Sequence, residues 1–454
     1  MENNRFIFGE CATEVRDKVQ PEGANGARYI GLEHIEQGTL HLNGFGSVND
    51  VSSTKSKFSK GDILFGKLRP YFRKVVRAPF DGVCSTDIWV VRSINGIDQG
   101  FLYYWMASQE FVDFSMQGSE GTKMPRAKWN HVSRHQVPFF TEDEQKAIAQ
   151  ILGSLDDKIE LNRRMNETLE EMAQALFKSW FVDFDPVIDN ALAAGNEIPE
   201  ELKERADIRE ALGDARKPLP EEIQNLFPSE FEHTEEMSWI PKEWNTGKVC
   251  DLGEVICGKT PPTNDPENYG TEIPFITIPD MHGTVYITHT GKTLSRKGAD
   301  TQKKKYLPIN SICVSCIATP GLVVLNSEES QTNQQINSVI PNDMETAFFA
   351  YEVLSRLGEQ IRNAGSGGSV FSNLSKGRFE ELKILLGNNE VQIHFNGQVS
   401  PYFEKILSNQ KSIDVLSHAR DTILPQLLSG EIRIPEAVKL VEDLDRNGGG
   451  NGKS

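Results

Sequence analysis

The chain has 454 residues, 38% of them hydrophobic, with a formal net charge of −17, six cysteines and a mean hydropathy of −0.42. No apolar stretch reaches the roughly 18 residues that a membrane-spanning helix needs, and the opening MENNRFIFGE lacks the basic and apolar regions of a secretion signal. The cysteines have no framework spacing, which points to a reducing compartment, so a cytoplasmic protein with no membrane partner is expected.

The acid is unevenly placed. Residues 1–140 hold 17 Lys and Arg against 15 Asp and Glu, residues 247–388 hold 13 against 15, and residues 141–246 hold 11 against 26. Two near-neutral bodies therefore flank an acidic middle. Either body can carry a basic face toward nucleic acid, while the middle repels a DNA backbone and suits a protein partner.

In chain order, the first body (residues 1–140) shows strand-like runs at 61–65 and 87–92 and helical periodicity at 100–115. Its segment 67–77 interleaves Lys67, Arg69, Arg73, Lys74 and Arg77 with Tyr71 and Phe72. The loop 118–126 adds Thr122, Lys123 and Arg126 among bendable glycines. Such runs suit phosphate contact and close approach to a groove, and equally suit a solvated strand face.

Residues 141–183 read as one long helix. Thr141 and Glu144 form a capping box. Ile148, Leu152, Leu155, Ile159, Asn162, Asn166, Leu169, Ala173, Leu176 and Trp180 follow in alternating steps of four and three, a heptad seam. Residues 184–242, rich in acid and proline, read as a peripheral connector with a short helix near 199–212.

The second body (residues 243–388) has strand-like runs at 273–278 and 311–318 and a helix at 346–363. Lys259 and the stretch with Lys303 and Lys304 supply cations. Asn333 and Gln334 offer amides that suit adenine edges or, equally, a turn. A second long helix is expected over 389–430, where Pro425 should bend or end it. Residues 431–454 read as a tail.

The chain repeats itself at an offset of 247 residues. Gly118, Ser119, Gly121 and Thr122 fall on Gly365, Ser366, Gly368 and Ser369, and Gln145, Lys158 and Leu169 fall on Gln392, Lys405 and Leu416. The same offset carries the first seam onto Phe395, Val399, Tyr402, Ile406, Asn409, Ile413, Leu416, Arg420, Ile423 and Leu427. Each helix either packs on its own body or pairs with the other. Pairing is favoured, because a 40-residue helix is about 60 Å long and outruns a small body. An antiparallel pair related by a pseudo-two-fold would set Asn162 beside Asn409 and fix the register.

Chemical motifs are weak. Gly253 to Thr260 matches a phosphate-loop string, but Val255, Ile256 and Cys257 look like strand, and Pro261-Pro262 replaces the required helix. Cys313 and Cys316 lack a second ligand pair and read as buried thiols. No catalytic or metal-ligating constellation emerges.

Several strings resemble one family: EQKAIAQILGSLDDKIELNRRMNETLEEMAQALFKSWFVDFDP (144–186), IPKEW (240–244), CGKTPPTNDPENYGTEIPFITIPDM (257–281), TNQQINSVIP (332–341) and LPQLLSGEIRIPE (424–436). With the order body, long helix, body, long helix, they resemble the specificity subunits of type I restriction–modification systems over nearly the whole chain. The resemblance implies an α+β fold, with two similar mixed α/β target recognition domains joined by two long helices in an antiparallel coiled coil. Each domain would read one half of a split double-stranded DNA site, and the helices would set the spacer. The subunit would be non-catalytic. It would bind two methyltransferase subunits, which modify adenine N6 with S-adenosylmethionine, and two restriction subunits that use ATP and Mg. No cofactor would bind this chain. Target recognition domains vary, so base-reading residues do not carry over. Two other readings compete: a nucleotide hydrolase built on Lys259, and a coiled-coil scaffold without DNA contact.

Overall fold

A computed structural model describes residues 5–121, 123–213, 219–317, 319–365 and 374–448. The chain divides into two compact units, one of residues 1–161 with 412–454 and one of residues 162–411. Each long helix gives one half to each unit, so the division cuts across both helices.

In the first unit a four-stranded antiparallel sheet has the order Ala12–Val15, Ile88–Ser93, Ile63–Gly66, Val75–Arg77. In the second unit the order Gly253–Cys257, Ile336–Pro341, Ile312–Ser315, Val323–Asn326 repeats that plan, and Tyr286–Ile287 adds a fifth strand. Ile63 and Leu64 pair with Val91 and Val90, while Ile312 and Cys313 pair with Val339 and Ser338. A short parallel pairing also recurs: Tyr29 and Ile30 lie beside Val83 and Cys84, Phe275 and Ile276 beside Gln331 and Thr332. The two bodies therefore share a fold. They differ in the second sheet, which has five strands in the first unit and three in the second.

A two-stranded pairing leads into each long helix, Arg5–Ile7 with Gln136–Pro138 and Asn245–Lys248 with Lys383–Gly387. The first helix, Glu142–Phe181, opens on the expected capping box: Glu144 N donates to Thr141 Oγ1 at 3.3 Å and Thr141 N to Glu144 Oε2 at 2.8 Å. The repeated glutamines have the same task. Gln145 donates to Phe140 O at 2.9 Å and Gln392 to Leu386 O at 2.7 Å, tying each helix start to the segment before it.

Both modes of helix packing are present. In the first unit Ile148, Leu152, Leu155 and Ile159 share one core with Ile413, Leu416, Ile423 and Leu427, and with Phe101, Trp105 and Phe111 of the body. In the second unit Leu169, Ala173, Leu176 and Trp180 share a core with Tyr402 and Ile406 and with Phe349 and Val339. The pairing runs antiparallel there, because Asn166 meets Asn409 while Phe177 meets Phe395. A full stripe wider than two positions per heptad is buried, since each half-helix covers both a partner helix and a body.

Four expectations change. Asn409 donates to Asn166 Oδ1 at 2.8 Å, one turn on from the expected Asn162. Heptad spacing sets the phase of a seam but not its register, and the two asparagines are one turn apart. The second helix, Asn389–Ser429, continues past Pro425, so the proline does not end it. That ring is exposed, where water can serve the carbonyl freed by its missing N–H, and the helix ends instead at Gly430 with φ 73°. The connector is not peripheral. Phe184, Val187, Ile223 and Phe227 enter the second unit's core, and Asp185, held by Arg205 at 2.7 Å, accepts from Ser179 of the first helix at 2.8 Å. Burial raises the Asp185 pKa, but Arg205 and Ser179 outweigh it and hold the carboxyl below its usual range. The tail contains a helix, Ile434–Gly448, whose Ala437 and Val441 are buried in the first unit.

Candidate nucleic-acid interface

In the first unit, Ile63–Gly66 runs out into residues 67–74 before Val75–Arg77 returns. Three loops converge there. Lys67 N donates to Asp87 O at 2.9 Å, Ala127 N to Lys67 O at 2.9 Å, and Arg69 N to Pro125 O at 2.7 Å. Arg126 straddles Asp87 at 3.1 and 3.3 Å with its side chain 54% exposed. Arg69 and Arg73 are left-handed, at φ 52° and 47°, and bracket the turn Pro70–Phe72, which leaves Tyr71 at the surface. Lys67, Arg69 and Arg126 thus lie along one edge, and Lys123 is exposed in the same loop as Arg126. Thr122 lies outside the described residues.

Two of the expected cations turn inward. Arg73 donates to the Gly38 carbonyl and reaches Asp421 at 3.2 Å. Lys74 Nζ donates to Leu32 O at 2.6 Å, and burial lowers its pKa despite Glu33 and Glu36 nearby. Both hold neighbouring segments in place rather than facing solvent.

The second unit builds its edge on the same frame. Cys316 N donates to Gln335 O at 2.9 Å and Leu374 N to Cys316 O at 3.1 Å, the counterparts of the two bonds to Lys67. Cys316 is buried, however, and burial lifts its thiol to about 11. The cations come from other loops. Lys259 N donates to Thr332 O at 2.9 Å, and Gln302 Nε2 donates to Lys259 O and to Gln331 Oε1, each at 2.7 Å. Lys303 and Lys304 follow in an exposed turn, and Thr260 Oγ1 donates to exposed Gln334 at 2.7 Å. The structure therefore brings Lys259, Lys303, Lys304 and Gln334 together. Asn333 is 9% exposed and serves the turn, accepting from Gln335 N at 3.0 Å. Ser369 lies outside the described residues.

The phosphate-loop string is sheet. Gly253–Cys257 pairs along Ile336–Pro341. A Cβ on Gly253 would lie 1.9 Å from Ile340 O, and one on Gly258 would lie 2.1 Å from Asn333 O. Both glycines answer to close backbone packing, so the nucleotide-hydrolase reading loses its loop. Cys313 lies buried in the adjacent strand, its thiol pushed up to about 12 by burial.

Sequence reasoning missed the partners that organise these edges: Asp87, Gln302 and Thr260. It also missed Arg28, whose guanidinium lies 4.8 Å from Phe45 and 4.7 Å from Phe80 on the second sheet of the first unit. A lone polar residue in a loop carries no signal of its neighbours until the loops are assembled.

Comparison with known proteins agrees. The family model described as type I restriction modification DNA specificity domain matches residues 24–171 and 241–416. The type I restriction enzyme HindI specificity subunit of Haemophilus influenzae is 38% identical over 412 residues, covering 85% of this chain and 90% of that protein. The MjaIX specificity subunit of Methanocaldococcus jannaschii is 25% identical over 356 residues, covering 75% and 71%. The crystal structure of a type I restriction–modification S subunit from M. genitalium aligns with a TM-score of 0.53 at 14% identity, over 93% of this chain and 95% of that one.

Proposed function

Because the chain belongs to the specificity subunits of type I restriction–modification systems, we propose that its two edges read the two halves of one split DNA target. The chain is a DNA-specificity subunit; such subunits bind DNA and assemble with the other subunits of the complex, and the family role is non-catalytic. The observation that supports two different half-sites is that one backbone frame ends in two chemistries. Lys67, Arg69, Lys123 and Arg126 serve the first edge, and Lys259, Lys303, Lys304 and Gln334 the second.

In this reading the cations engage phosphates and set position, while Gln334 and the polar loop groups meet base edges. Two methyltransferase subunits dock on the paired helices and transfer methyl groups from S-adenosylmethionine to adenine N6. Two restriction subunits add ATP- and Mg-dependent cleavage. The cofactors belong to those partners, and the complex works in the cytoplasm. No helix among the described residues is long and apolar enough to cross a membrane.

Sequencing methylated adenines in DNA from cells that carry this chain with its partner subunits tests the proposal. A split, asymmetric motif is expected. A contiguous motif, or a palindrome, would contradict it.

A further inference from the structure

The offset of 247 allows the two seams to be compared position by position. In the first unit the seam carries a polar knot. Tyr104 donates to Asp156 at 2.7 Å, and Arg420 donates to the same carboxylate at 2.8 Å. Arg420 is 1% exposed and also reaches Thr39 O and Asp421, each at 3.1 Å. In the second unit the mates of Tyr104, Asp156 and Arg420 are Tyr351, Phe403 and Ala173. Tyr351 lies edge-on to Phe403 at 5.3 Å, and Phe348 stacks on Phe403 at 4.3 Å. Phe403 and Ala173 are both 0% exposed in one apolar core. Equivalent positions thus hold an ion pair in one seam and an aromatic with a small residue in the other.

We propose that this mismatch is a pairing code against a second copy of the chain: the first long helix accepts the second and rejects another first. Two first helices paired in the same way would set Asp156 opposite Ala173, a carboxylate without its cation. Two second helices would set Arg420 opposite Phe403, and a guanidinium cannot shed its charge. They would also set Asn409 opposite Ile413, the mate of Asn166. In a symmetric like-with-like pair each defect occurs twice. Only first with second gives both Asp156 and Arg420 a partner. The code therefore keeps two different bodies on one helix pair, and it holds whether or not the edges bind DNA.

The test uses the full-length chain and a short lysine-to-lysine cross-linker: two first helices paired in the same way would bring Lys146 of one copy near Lys178 of the other, residues that lie about 48 Å apart along a single helix. Two double variants erase the mismatch. Asp156→Phe with Arg420→Ala makes both seams apolar, and Ala173→Arg with Phe403→Asp makes both polar. In at least one of them, Lys146–Lys178 cross-links, identified by peptide mass, should rise about tenfold or more over the unsubstituted chain. Cooperatively melting double variants with no rise would overturn the code. Loss of cooperative melting in both would also overturn it, because a code requires the two sets to be exchangeable.

Discussion

The two candidate edges make an informative comparison. Each closes the same sheet with the same pair of backbone bonds, at Lys67 in one unit and Cys316 in the other. The side chain at that shared point is a half-buried lysine in the first case and a buried thiol in the second. The first edge takes its charge from the loop leaving Ile63–Gly66, the second from loops at 259–260 and 302–305. The frame is thus held by backbone bonds that tolerate any side chain, while the edge chemistry is free to differ. In the proposed reading, duplication of such a frame gives two readers of unlike chemistry.

Predictions that would break or sharpen this contrast can be ranked by size. Arg420→Ala strands the Asp156 carboxylate and should destabilise the first unit by about 3–5 kcal/mol, read by urea unfolding. A loss below about 1 kcal/mol would mean that the polar seam is not different in kind from the apolar one.

Next comes Glu352, 2% exposed in the second unit at a position where the first unit has Trp105. Burial, with Glu170 and Glu359 nearby, raises its pKa from 4.5 to about 8. The folded chain therefore keeps a proton that the unfolded chain releases. Stability is intact below 4.5 and is lost as pH rises toward about 8. Glu352→Gln should remove that loss and gain a few kcal/mol at about pH 8, with little change near pH 4. Equal pH profiles for variant and parent would contradict the shift.

Smaller effects are expected at the edges. Arg69→Ala and Lys259→Ala should each weaken DNA binding across sequences and lower the salt slope by about one unit. Arg73→Ala should act differently, by loosening residues 38–39 against the helix without changing the salt slope by a full unit. A full-unit change at Arg73 would place it on phosphate instead.

Much of the fold was legible in the sequence. The 4,3 spacing exposed the seam, the capping box marked Thr141, and the strand-like runs at 61–65 and 311–318 hold the strands Ile63–Gly66 and Ile312–Ser315. Register was not legible, since Asn162 and Asn166 both fit the heptad phase. The packing of residues 184–242 was hidden by their charge, because Asp185 and Asp189 are neutralised by Arg205 and Arg209 from the same segment. Charge runs marked both edges, but they could not show that Arg73 and Lys74 turn inward. A cation's direction depends on carbonyls and acids that arrive from distant parts of the chain, such as Leu32 and Asp421.

The central claim is that each edge governs one half of the target. It is tested most directly by mapping methylated adenines in cells carrying the chain with Thr260→Ala and Gln334→Ala beside the parent chain. The account predicts that one half of the motif relaxes or shifts while the other half and the spacer stay as they were. Change in both halves, or in the spacer, would contradict it.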